Sequence, residues 1–156
     1  MLLAAILLAT AAHTVARPSD ACSVLTKNDI AAVQGESFTT TKLTTHDDMS
    51  QCFYQLPTFT KSVSVDVIRD KSFWSEHFDH APEQEHAHEH EKEEAHPPRE
   101  IHGLGDDALW IGGRMSGSLY VRKGNAVLRV SVGGPGSEAE KIARSKTLAA
   151  RALRRM

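Results

Sequence analysis

Lys61–Asp70 reads KSVSVDVIRD. Val63, Val65 and Val67 alternate with Ser62, Ser64 and Asp66, so apolar and polar side chains fall on opposite faces. That is the period of a half-buried antiparallel strand. The stretch predicts a sheet with one face toward a core and Asp66 on the polar side.

Outward from it, Gln51–Leu56 holds Cys52, Phe53 and Tyr54 and reads as a neighbouring strand stopped by Pro57. Glu36–Ser50 is rich in Thr, Asp and Ser and predicts a strand plus a loop. Downstream, Ala108–Ile111, Leu119–Arg122 and Val127–Val132 are three more strands, with turns at Gly112–Gly117 and Lys123–Asn125. Helices bracket this set. Thr26 is placed to cap a helix with Asp29 at N3, and Leu25 and Ile30 take the staple positions. Gly35 supplies the stop. Ser137 and Glu140 form the same box for a last helix. Ile142, Ala149, Leu153 and Met156 lie in a narrow arc of it and should face the sheet. Arg144, Arg151 and Arg155 fall on the opposite face, which predicts a solvated surface or a site for an acidic segment. Ser72 is the expected cap of a further helix through Phe73, Trp74, His77 and Phe78. The resulting fold class is α+β: an antiparallel sheet of about four to six strands, with N- and C-terminal helices packed on one face.

The chain has 156 residues, 40% apolar and 24% charged, which suits one domain with an ordinary core. Its net charge of −2 gives no argument for nucleic acid as a partner. The N-terminus, MLLAAILLATAAHTVARPSDAC, carries an eleven-residue run, Leu2–Ala12, dominated by Leu, Ala and Ile. The run is too short to span a bilayer and about right for a leader. Residues 1–16 are therefore expected to be a signal peptide cleaved after Ala16. No Lys or Arg precedes the run, which an unread upstream start would explain. Residues 17–156 would form a single domain, secreted or periplasmic, without stable membrane insertion once the leader is removed. Cys22 and Cys52 are the two cysteines, and an even count in an exported chain suggests a disulfide.

The motifs CSVLTKNDIAAVQG (Cys22–Gly35), CFY (Cys52–Tyr54), GLGDDALW (Gly103–Trp110) and LYVRKGNAVLRVSV (Leu119–Val132), with an Ala/Arg-rich terminal helix, resemble a broad group of small exported bacterial domains of unknown function. Many of these are lipoproteins. The resemblance implies the disulfide and the α+β sheet and carries over no catalytic residue. PSDAC lacks the small apolar residues that precede a lipid-modified cysteine, so a soluble exported protein is expected here.

The strongest chemical signal is Glu85–His96, EHAHEHEKEEAH, inside a His/Glu-rich insertion at 76–100. Seven of the nine histidines lie between His77 and His102. Neutral imidazole suits Zn, Ni and Cu ions, and carboxylates add ligands and negative potential. The expected metal ligands are His86, His88, His90, Glu93 and His96. If 83–95 is helical, His86 and His90 share a face at i and i+4, while His88 points about 200° away. If it is extended, His86, His88 and His90 share a side. Both geometries predict weak, exchangeable, multi-ion binding; the other reading is a solvated charged spacer in a protein-interaction module, with an unknown exported protein as partner.

Other motifs carry less. The spacing of a zinc peptidase, His-Glu-x-x-His, is absent from the tract. GGPGSEA places Gly134, Gly136 and Ala139 like a dinucleotide fingerprint, but no second parallel strand follows. Asp106 and Asp107 are paired carboxylates that read as a turn. Trp74, Phe73, Phe78 and Trp110 read as core aromatics. No catalytic constellation emerges, and no cofactor is required.

Overall fold

The alternation around Val65 becomes the third strand of a seven-stranded antiparallel sheet. In the computed structural model, which describes residues 20–79, 97–113 and 116–156, the strands are β1 (Thr40–His46), β2 (Met49–Gln55), β3 (Val63–Ile68), β4 (Arg99–Glu100), β5 (Asp107–Gly112), β6 (Gly117–Lys123) and β7 (Ala126–Val132). Their spatial order is β1-β2-β3-β7-β6-β5-β4. The sheet exceeds the expected count. All six strands read from the pattern are present, and the addition is β4, two residues directly after Pro97-Pro98 that are too short to show a period. The loop expected before Gln51 shrinks to a tight turn at Asp47 and Asp48, where Asp47 takes a left-handed φ of 45°.

Register explains the core. One lateral row crosses the sheet through Leu43, Cys52, Val65, Val130, Leu119 and Trp110. Parallel rows carry Tyr54, Val63 and Val132, then Val67, Leu128, Val121 and Ala108. All except Leu43 are buried in one cluster with Ile30 of helix α1 (Lys27–Gln34) and with Ile142, Leu148, Ala149 and Ala152 of helix α2 (Glu138–Ala152). Both helices therefore cover the same face. Each begins with the expected capping box, Thr26 with Asp29 and Ser137 with Glu140. Gly35 closes α1 at φ 80°. Cys22 and Cys52 are disulfide-bonded, tying the segment before α1 to β2. The Tyr54 hydroxyl donates to the Ala21 carbonyl at 2.7 Å beside it, and burial pushes that phenol far above its usual range.

The opposite face is covered over part of its area by a turn through Phe73–Asp79. Its rings pack on Ile68, Val127, Met49, Leu109 and Tyr120. The expected helix there is a short π-helical turn, Ser75–Asp79. Ser72 stands just before it and its carbonyl accepts the Glu76 amide at 2.9 Å, but its side chain is turned back: one Asp70 carboxylate oxygen accepts from both the Ser72 amide and its hydroxyl at 2.9 Å. Those hydrogen bonds, the amide's first, hold Asp70 below the usual carboxylate range.

Asp66 also departs from expectation. It is 1% exposed, because β3 sits in the middle of the sheet and its polar face is flanked by β2 and β7. Arg129 on β7 lies 2.8 Å from one carboxylate oxygen, and Gln51 Nε2 on β2 donates to the other at 3.0 Å. Burial raises the Asp66 carboxyl above its ordinary range, against the opposing pull of Arg129 and Gln51.

Candidate functional site

The chain leaves the described structure at Asp79 and re-enters it at Pro97. The residues next to these two points line one groove of about 410 Å³. Trp74 and Phe78 form its aromatic wall. Glu100–Leu109 supplies the other side, with Asp79, Glu100, Asp106, Asp107 and His102 as its charged and titratable groups. The wall is positioned by ring packing: Phe78 meets Trp74 at 4.8 Å and Tyr120 at 5.1 Å, both edge-on. The opposing loop is tightened at Gly105, whose φ of 56° and close approach to the Arg122 carbonyl leave no room for a side chain.

Two of the four carboxylates already have structural partners. Asp106 accepts from the Gly124 amide at 2.6 Å, holding the β6–β7 turn. Asp107 accepts from Arg122 Nε at 2.9 Å in a cross-strand pair. Arg122 lies 5.9 Å from the Trp74 ring centroid, and its pKa is raised, first by the hydrogen bond to Asp107 and further by the fields of Asp106 and Asp79. Three carboxylates thus act on one guanidinium, and the groove's own lining holds four carboxylates and no Lys or Arg. Among the described residues, no three His, Cys, Asp or Glu side chains converge as a metal-sized set.

The expected ligands His86, His88, His90, Glu93 and His96 lie outside the described residues. Of the histidines flanking them, His102 lines the groove. His77 Nδ1 is 2.7 Å from the Phe73 carbonyl, and its ring stacks on Phe73 at 4.1 Å. The paired aspartates are turn and strand fasteners, as the turn reading of Asp106 and Asp107 requires.

The arginines of α2 are tied to the body of the protein, with Arg144 and Arg151 half-buried and Arg155 exposed but paired. Arg144 donates to Gln34 Oε1 at 3.1 Å and to the Pro135 carbonyl at 2.8 Å, so the glycine-rich turn holds this guanidinium. Arg151 donates to the Asp29 carbonyl at 3.0 Å. Arg155 donates to the Val24 carbonyl at 3.0 Å and pairs with Asp29 at 2.9 Å. The face opposite the sheet abuts α1, and the guanidiniums lock the two helices together. Burial pushes Asp29 up, but the Thr26 amide and hydroxyl together with Arg155 outweigh it and hold the carboxyl below its usual range.

The polar set Gln51, Asp66 and Arg129 was missed as a unit. Its signal was an Arg inside AVLRVSV and an Asp inside VSVDVI, opposite charges on the polar phase of two strands. Among the described residues, no helix is long and apolar enough to cross a membrane. No protein-family model, curated protein or solved structure matches the chain.

Proposed function

We propose that this is an exported domain that takes up divalent transition metal, Zn, Ni or Cu, through His86, His88, His90, Glu93 and His96. The observation that carries the reading is the crowding of seven of nine histidines between His77 and His102, interleaved with glutamates. The acidic groove adds support. Asp79 and Glu100 stand where the chain enters and leaves the segment, and His102 stands beside them. Their field raises the local concentration of cations at the groove, beside the points where the chain passes into and out of the tract. The disulfide agrees with a secreted or periplasmic site, as does the resemblance to small exported bacterial domains.

Calorimetric titration with Zn²⁺, Ni²⁺ and Cu²⁺, of the intact chain beside one lacking residues 83–96, tests it. Micromolar binding that disappears on deletion, and fades below about pH 6 as the imidazoles protonate, is the expected result. Replacing the four tract histidines by alanine gives the same loss without shortening the chain. Equal binding by intact and altered chains contradicts the assignment.

A second reading, a protein-interaction module in which the tract is only a spacer, draws on the sheet edge. All seven residues of β1 are exposed.

A further inference from the structure

We propose that β1 pairs with β1 of a second copy of this chain, antiparallel about a two-fold axis through Leu43. Among the described residues, the outer edge of β1 has no strand beside it. It is the long free edge: the opposite one, β4, has only two residues, Arg99 and Glu100. Pairing of β1 with β2 runs unbroken from Thr40 to His46, with no bulge, and β1 contains no proline. Such an edge presents a row of amides and carbonyls ready to extend the sheet. Of the devices that blunt such edges, β1 carries only Lys42, on the face opposite Leu43.

Sequence and register select the occupant. Leu43 is the middle of the seven residues TTKLTTH, and it ends the lateral row Trp110, Leu119, Val130, Val65 and Cys52. It is the one member of that row left open, 47% exposed. With the axis on Leu43, all seven residues find partners. Leu43 meets the partner's Leu43, Thr41 meets the partner's Thr45, Lys42 meets the partner's Thr44, and Thr40 meets the partner's His46. The apolar row then runs continuously from one copy into the next. Paired β-branched threonines are favourable cross-strand neighbours.

Neighbouring symmetric registers are worse. An axis on Thr44 leaves Thr40 and Thr41 without partners on the facing β1, and an axis on Lys42 sets two ammonium groups opposite each other. Like charges directly opposite destabilise a pair. An axis perpendicular to the sheet also keeps α1 and α2 of both copies on one side. Two seven-stranded sheets become one.

Sedimentation equilibrium of the full chain, with chelator present so that metal cannot bridge two copies, reads this directly. The expected result is a reversible monomer–dimer equilibrium between micromolar and millimolar protein. Two exposed substitutions then test the register. T44E places a carboxylate opposite the partner's Lys42 at two symmetric positions and should tighten the dimer by about threefold to tenfold, from the size of cross-strand charge pairs. T44K places cations there and should weaken it by a similar factor. L43K should leave a folded monomer with an unchanged melting temperature. A monomer at millimolar concentration, a dimer that dissociates on chelation, or equal effects of T44E and T44K would each overturn the proposal. The dimer measured in chelator, and its response to T44E and T44K, does not depend on whether the His/Glu segment binds metal.

Discussion

Replacing Arg129 by methionine keeps most of the apolar stem and removes the guanidinium. It leaves Asp66, 1% exposed, without the cation 2.8 Å away. Removing one partner of a buried ion pair costs about 3–5 kcal/mol. Arg129 is 31% exposed, so water reaches the vacated position and screens the remaining charge. The expected loss at neutral pH is therefore about 2 kcal/mol, or roughly 4–8 °C in melting temperature for a chain of this size. The loss has a pH signature. Burial already raises the folded-state pKa of Asp66 above its ordinary value of 3.8, and deleting Arg129 raises it further. A carboxyl with a raised folded pKa binds its proton more tightly when folded. Its penalty is absent below the unfolded value and develops as pH rises from there through the folded value. Thermal melts of R129M and the parent should nearly converge at about pH 3.5 and diverge toward neutrality. D66N/R129M, which has no charge to bury, should recover much of the loss. A deficit of the same size at every pH would refute the reasoning and assign the effect to packing of the arginine stem.

Three further outcomes follow from the geometry. C22S/C52S removes a bridge that spans 30 residues, and the chain-entropy relation gives a loss of about 3.6 kcal/mol, read by denaturant unfolding. D29A removes the acceptor of the Thr26 amide and the partner of Arg155, costing about 1–2 kcal/mol. Because the Asp29 pKa is lowered on folding, this contribution is present above the unfolded value and vanishes as pH falls through the folded one, so parent and D29A melts should converge in strong acid. G117A forces a methyl into the Trp110 ring, with an expected cost of about 1–3 kcal/mol from overpacking and a change in tryptophan emission.

The fold was legible where local chemistry decides it. The Val63–Val67 alternation, the two capping boxes and the Gly35 stop each act over a few residues, and each takes the form that its sequence dictates. Expectation failed where a residue's environment is set by distant chain. Arg144, Arg151 and Arg155 look unpartnered on a helical wheel, because nothing local reveals that α1 and the segment before it lie against them. Asp66 looks exposed until β3 is known to be a central strand. β4 exists only because β5 offers Leu109 and Trp110 as partners. The candidate site divides the same way. The metal-ligating composition of the tract is plain in the sequence, whereas the acidic groove at its two ends depends on the fold bringing Asp79 beside Glu100, His102 and Asp106.

If the histidines of residues 83–96 hold metal, the ion content of the chain depends on them. Elemental analysis of untagged protein recovered from the exported fraction, beside the chain in which His86, His88, His90 and His96 are alanine, measures it most directly. After equilibrium dialysis against micromolar metal, at least one Zn, Ni or Cu ion per parent chain and none in the alanine variant is the predicted result. Parent protein free of these metals after that dialysis, or both chains carrying them equally, would contradict it.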